Sequence, residues 1–265
     1  MLTLTYPTID PVLVEIGPFA VRWYALSYIV GILLAWRYMI WVSRRSTSDI
    51  TKEHIDDFVV WATLGIVLGG RLGYVIFYKP SYYLQNPIEL LAVWQGGMSF
   101  HGGFLGVIFA VWLFCRRRGY SWIAVSDVIA CAAPLGLFLG RIANFINGEL
   151  YGRVTESPLG MVFPGGGPLP RHPSQLYEAA LEGLVLFFVL FWLALRPVSF
   201  EKRGLLSGVF LAGYSIGRFT AEFFRQPDAH IGFLAFGTTT GQWLSTPLFI
   251  AGVILIYRSI RHEAA

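Results

Sequence analysis

Three arginines of this chain stand where arginine is costly. Gly70-Arg71, Gly140-Arg141 and Gly217-Arg218 all fall inside long apolar runs, and a guanidinium in the middle of a membrane-spanning helix costs at least ~2.5–3.5 kcal/mol on insertion scales. One such residue is readily an anchor or half of a structural ion pair; three at matched depth are harder to account for that way. Each lies six or seven residues before the same end of its run, about 10 Å inside at the rise of an α-helix. Guanidinium forks take phosphate oxygens two at a time. The pattern therefore predicts a site for an anion, a phosphate above all, beneath one membrane face. The glycine before each arginine lets a lipid or a neighbouring helix approach the backbone closely.

Other polar residues map to the same side. Tyr24 and His101 open the first and third apolar runs, and Asn144 lies three residues after Arg141, on its helix face. Asn147 and Glu149 follow where that helix leaves the membrane, and Glu222 is one turn beyond Arg218. Glu222 is expected to orient Arg218, and Glu149 to orient Arg141. His101, with an ordinary pKa near ~6.5, can serve as a general base; a hydrogen bond to a neighbouring helix is the competing role, and the residues leave both open. Asn144 and Tyr24 are expected to hold lipid oxygens, with a helix–helix hydrogen bond as the alternative, and Gly152 to meet a backbone requirement in the turn outside.

The elements that must position these groups follow from composition. The chain is 55% hydrophobic and only 14% charged, with a mean hydropathy of +0.58. Soluble domains carry roughly 25% charged residues, so the solvent is a bilayer. Continuous rather than alternating apolar runs favour helices over a barrel. Seven spans are predicted, over 19–42, 57–78, 98–115, 122–147, 175–195, 205–224 and 241–257. The expected fold is thus an all-α polytopic membrane protein, a bundle of about seven transmembrane helices forming one catalytic domain over 1–265. With the N-terminus outside, eleven loop arginines and lysines face the cytoplasm and four face out. That bias puts the N-terminus on the periplasmic side and the C-terminus in the cytoplasm. The longest outer loops, near 79–97 and 148–174, follow; the second is rich in proline and glycine, suited to a lid or a partner-binding element.

The block Gly140-Arg141-Ile142-Ala143-Asn144-Phe145-Ile146-Asn147-Gly148-Glu149-Leu150-Tyr151-Gly152 resembles the signature of the prolipoprotein diacylglyceryl transferase family. His101-Gly102-Gly103, the segment Arg171 to Glu178, and Gly217-Arg218 through Glu222 to Pro227 are similar to further blocks of that family. The resemblance covers nearly the whole chain. It implies an inner-membrane enzyme on which the thiol of a lipobox cysteine, in a prolipoprotein signal peptide, attacks the glyceryl carbon bearing the phosphate of phosphatidylglycerol. A thioether forms and glycerol-1-phosphate leaves. It also implies that Tyr24, His101, Arg141, Asn144, Glu149, Gly152, Arg218 and Glu222 match positions important to the family. On this reading Arg141 and Arg218 stabilise the departing phosphate, Arg71 is a third member of the group, and His101 is the candidate base. An arginine-rich pocket that lowers the thiol pKa is the other route to a thiolate.

Several classes fall away. The net charge of +4 sits in short loops, where it orients a membrane protein rather than binding nucleic acid. The five histidines are scattered, no H-E-x-x-H or nucleotide-binding loop occurs, and no metal or other cofactor is expected. Cys115 and Cys131 have no C-x-x-C spacing, and a structural disulfide is not expected. The first eighteen residues lack a basic start, so no cleavable signal peptide is expected. A transporter of an anionic solute or lipid is the alternative function. It requires polar residues through to the inner face and an inverted repeat, whereas here the polar residues gather at one end.

Overall fold

The computed structural model describes residues 4–17, 19–46, 50–93, 96–227 and 232–261; the side chains of Ile16, Phe19, Phe100 and His101 are also outside the described set. The chain forms two compact units, one made of Met1–Thr47 with Ser126–Ala265, the other of Ser48–Val125.

The first unit opens with an antiparallel hairpin, β1 (Val12–Ile16) against β2 (Phe19–Arg22), with Val14 paired to Val21 and Glu15 to Ala20. Helix α1 (Trp23–Ser43) follows directly. The sequence reading began the first span at Phe19; residues 19–22 are instead a strand. The β-branched and apolar stretch Val12-Leu13-Val14 supplies a partner with a free edge, and pairing satisfies the backbone before the helix begins.

The second unit is built from α2 (Lys52–Tyr78), α3 (Pro80–Gln85) and α4 (Phe100–Arg118). Helices α2 and α4 pack along a seam of small residues at four-residue spacing, Gly65, Gly69 and Gly73 against Gly102, Gly106 and Ala110. The backbones are so close that a Cβ on Gly73 would lie 2.7 Å from the Gly102 Cα, and one on Gly65 would lie 2.9 Å from the Ala110 Cβ. Helices in lipid gain little from burying apolar surface against one another, and close backbone packing of this kind replaces it. Outside the helices, the loop after α2 is not irregular throughout: α3 and a short 3₁₀ turn at Pro87–Leu91 occupy much of it.

Helix α5 (Trp122–Ile146) belongs to the first unit from Ser126 onward. Next, α6 (Ser174–Glu178), a π-helical segment (Ala179–Val185) and α7 (Leu186–Ala194) run on as one helix. A helical turn, α8 (Val198–Glu201), leads to α9 (Leu205–Ala221), and α10 (Thr240–Arg261) packs along α9. Asp127 ties α5 to the start of α9: its carboxylate accepts from the backbone N–H of Gly204 (2.7 Å) and Ser207 (2.8 Å) and from the Ser207 hydroxyl (2.7 Å). The lone acid at the far end of the fourth span is therefore a helix cap borrowed from another helix.

Each predicted span overlaps a helix along most of its length. Among the described residues, five helices are long and apolar enough to cross a membrane: α1, α2, α5, the run Ser174–Ala194 and α10. The third and sixth predicted spans correspond to α4 and α9, of 19 and 17 residues. Cys115 and Cys131 are both buried free thiols.

The α2–α4 seam yields a prediction. Gly106→Val drives a side chain into the Gly65 carbonyl, and overpacking of this kind costs about 1–3 kcal/mol. The variant should unfold several degrees below wild type when followed by circular dichroism. An unchanged unfolding temperature would show that the two backbones do not meet as closely as described.

Candidate active site

Two carboxylates organise the interior of the first unit. Glu178 ends α6 and Glu182 sits in the π segment, and both are fully buried. A π turn widens the helix and shifts the register of side chains beyond it; here it lies where Glu182 meets the same two guanidinium groups as Glu178. Arg141 of α5 and Arg218 of α9 converge on one oxygen, Glu178 Oε2, with Nη2 of Arg141 at 2.8 Å and Nη1 of Arg218 at 2.6 Å. Glu182 lies 3.5 Å from Arg141 and 3.9 Å from Arg218. Glu222 completes the Arg218 fork at 2.5 Å. Arg225 closes the far side, reaching Glu178 Oε1 at 3.2 Å and Glu222 at 3.8 Å.

Three guanidinium groups thus face three carboxylates. Buried charges are tolerable only when paired and hydrogen-bonded, and the match accounts for how three arginines enter an apolar bundle. The cluster is not sealed, since the side chains of Arg141 and Arg218 keep 19% and 15% of their exposure. Among the described residues the side-chain contacts of Arg141 are all made by Nη2, and Nε and Nη1 have no protein acceptor. A polar cavity of about 30 Å³ adjoins Arg218, Glu222 and Arg225, room for one or two waters.

The chain beyond α5 is built to hold the mouth of this cluster. The phenol of Tyr6 donates to the carbonyls of Phe145 (2.7 Å) and Ile146 (3.0 Å) at the end of α5, where the Gly148 N–H also reaches the Phe145 carbonyl (3.0 Å). Leu150 adopts a left-handed backbone (φ 59°), a strained conformation for a branched residue. Its carbonyl accepts from Ser174 Oγ (3.0 Å), and that of Glu149 accepts from Gln175 Nε2 (2.6 Å). Both donors come from the first turn of α6, so the turn after α5 is pinned to the helix that carries Glu178. Gly152 lies against the 172 and 224 backbones: a Cβ there would sit 2.7 Å from the His172 carbonyl oxygen. Its requirement is close approach rather than an unusual dihedral. Arg153 and Arg171 staple the same loop to backbone carbonyls of Glu222, Arg225, Gly152 and Gly166. Burial pushes the His172 imidazole below its ordinary pKa, in keeping with a neutral ring whose Nδ1 lies 3.2 Å from the Tyr177 hydroxyl.

The remaining predicted site residues are placed as follows. Asn144 Nδ2 donates to Glu149 Oε1 (2.9 Å), as does Asn147 Nδ2 (3.2 Å). Glu149 therefore organises two asparagines, and the expected pairing with Arg141 is replaced by Glu178 and Glu182. Tyr24 is half-exposed and shares a 3.0 Å hydrogen bond with the Tyr28 hydroxyl one turn on. His101 lies in the first turn of α4, and its side chain is outside the described residues. Arg71 departs from expectation. It is buried, and its donors are committed to the carbonyls of Glu89 (2.5 Å), Leu90 (2.9 Å), Gly96 (2.5 Å) and Gly97 (3.3 Å). It staples the loop after α3, each of its three nitrogens donating to a backbone carbonyl.

Sequence reasoning passed over Glu178, Glu182 and the buried role of Arg225. The signal was available: two glutamates four residues apart at the head of an apolar span repeat the spacing of Arg218 and Glu222.

Fold and site together define a helical multi-pass membrane protein with an arginine–carboxylate cluster inside its bundle. The family model described as prolipoprotein diacylglyceryl transferase matches residues 11–258. The phosphatidylglycerol–prolipoprotein diacylglyceryl transferase of Paramagnetospirillum magneticum is 60% identical over 98% of this chain and 97% of its own length. Those of Rhodospirillum rubrum (59% identical, 96% and 94% covered) and Rickettsia felis (52%, 97% and 99%) are similar throughout. The chain belongs to the prolipoprotein diacylglyceryl transferase family.

Glu178→Gln removes the charge on which three guanidinium groups converge. Breaking a buried ion pair by deleting one partner costs about 3–5 kcal/mol. The variant should lose far more thermal stability in detergent than Glu201→Gln, which changes an exposed carboxylate. Equal unfolding temperatures for the two would show that Glu178 does not hold the cluster.

Proposed function

We propose that this chain transfers the diacylglyceryl group of phosphatidylglycerol to the lipobox cysteine thiol of a prolipoprotein, in the bacterial inner membrane and toward its periplasmic face. Family membership supports the reaction, and the excess of arginine and lysine in alternate loops supports the orientation. The observation that carries the site is the convergence of Arg141 and Arg218 on Glu178.

In the reaction the cysteine sulfur forms a bond to the glyceryl carbon, the bond from that carbon to its phosphate oxygen breaks, and glycerol-1-phosphate departs with the electron pair. The thiol proton must be lost. Charge grows on the departing oxygen, and fixed donors aimed at that oxygen strengthen as it does so. Arg141 supplies them from Nε and Nη1. Arg218, held on both sides by Glu178 and Glu222, is locked in orientation before substrate arrives and costs no reorganisation in the transition state. Asn144, ordered by Glu149, and Tyr24 hold ester or headgroup oxygens. Gly152 keeps the outer loop against the 172 and 224 backbones. Thiolate can arise by proton transfer to His101 or by depression of the thiol pKa in the field of the arginines.

Reconstitution with phosphatidylglycerol and a lipobox peptide tests the reaction: glycerol phosphate should appear with the cysteine peptide and not with its serine form. No release with cysteine would remove the proposed activity. Arg141→Lys and Arg218→Lys keep the charge and lose the fork, and each should lower turnover about a hundredfold, the scale of one lost transition-state donor. Full turnover in both would eliminate the phosphate role. An unaltered pH–rate profile in His101→Gln would exclude that residue as the base and leave the arginine field.

A further inference from the structure

Arg37 takes no part in the cluster above. It lies six residues before the end of α1, about 9 Å inside that end, and it is exposed. One face of α1 bears Arg37, Tyr38 and Trp41, and with Arg44 at the cap of that helix, Leu135 of α5 and Phe187 of α7 these residues line a cavity of about 380 Å³. No acidic residue lines it, and neither arginine forms an ion pair among the described residues. The wall is aromatic, with Tyr38 and Trp41 stacked at 5.4 Å and Tyr38 and Phe187 at 5.3 Å. The Tyr38 hydroxyl is buried and, among the described residues, has no hydrogen-bond partner. A buried donor without an acceptor is costly, and a bound oxygen at this point would remove the cost.

We propose that this cavity is a second lipid site, distinct from the transfer site, that takes one anionic phospholipid. Its phosphate sits between Arg37 and Arg44, a phosphate or ester oxygen accepts from the Tyr38 hydroxyl, and an acyl chain lies along Trp41, Leu135 and Phe187. Charge complementarity selects the occupant. Two unpaired guanidinium groups at the edge of an apolar groove match a molecule that is anionic at one end and hydrocarbon at the other. None of these residues belongs to the arginine–carboxylate cluster. The occupied site would bridge α1 to α5 and α7, holding the bundle together rather than feeding the reaction.

Trp41 lines the groove and reports on it. In nanodiscs of phosphatidylcholine, phosphatidylglycerol with dibrominated acyl chains should quench Trp41 fluorescence more than dibrominated phosphatidylcholine at equal mole fraction. The Trp41 signal is taken as the difference from Trp41→Phe. Arg37→Gln, which leaves the basic cluster at the end of α1 in place, should lower the preference for the anionic lipid about fivefold, the effect of one arginine near a charged membrane surface. Tyr38→Phe, which removes a single oxygen, should weaken quenching by both lipids without disturbing the stack, since both carry phosphate and ester oxygens. Equal quenching by the two lipids would overturn the proposal and reduce the groove to an ordinary lipid-facing surface. So would a preference unaltered in Arg37→Gln.

Discussion

One carboxylate decides how this interior is arranged. Glu178 is fully buried, and each of its oxygens meets guanidinium: Oε2 meets Arg141 and Arg218, Oε1 meets Arg225. Without an anion at that point, α5 and α9 would present two like charges to one another in a medium that screens poorly. With it, three helices are drawn to a common centre. Glu182 and Glu222 then complete a set in which positive and negative charges balance. The π segment belongs to the same logic: an irregular helix inside a membrane is tolerated where it serves a polar interior.

The turn after α5 depends on that centre in its own way. Leu150 is strained, Gly152 is pressed against two other backbones, and the carbonyls at the end of α5 need donors from elsewhere. Ser174 and Gln175 supply two of the ties, from the helix that carries Glu178. Position and charge are therefore coupled: what orders the loop after α5 also orders the cluster. The long mixed-polarity block from Gly140 to Gly152 makes sense as one device, with Arg141 inside, Asn144 and Glu149 at the rim, and Gly152 in the clamp outside.

How far the sequence could be read follows from which forces are local. The helices were legible because a run of apolar residues long enough for a bilayer has few other fates. Arg141 and Arg218 were legible because charge in such a run needs a reason. Arg71 shows where the argument stops. Depth along a helix was readable, but the direction in which the side chain leaves the helix was not, and its guanidinium turns to four backbone carbonyls of a loop. The pairing of Arg141 was missed for a similar reason: Glu149 is near in sequence, whereas Glu178 is near in space only once α6 has docked. The second strand of the hairpin before α1 was absorbed into the first span because apolar residues look alike until a partner strand is found. The π segment leaves no mark on the sequence, since it exists only in hydrogen-bond register.

The balance of charge bears on the chemistry proposed for the site. An enzyme whose lipid substrate is also its solvent gains nothing by gripping that lipid tightly in the ground state, because binding shared equally by substrate and transition state does not raise turnover. Three arginines facing three glutamates present a small net field to a phosphodiester, which carries a single negative charge. In the reaction proposed above, charge would concentrate on the departing oxygen as the carbon–oxygen bond breaks, and Arg141 and Arg218 would meet a stronger acceptor. The carboxylates thus do more than offset the cost of burying arginine. On that proposal, a cluster whose charges nearly balance, with each guanidinium held rigidly, would reserve the interaction for the charge that appears during transfer.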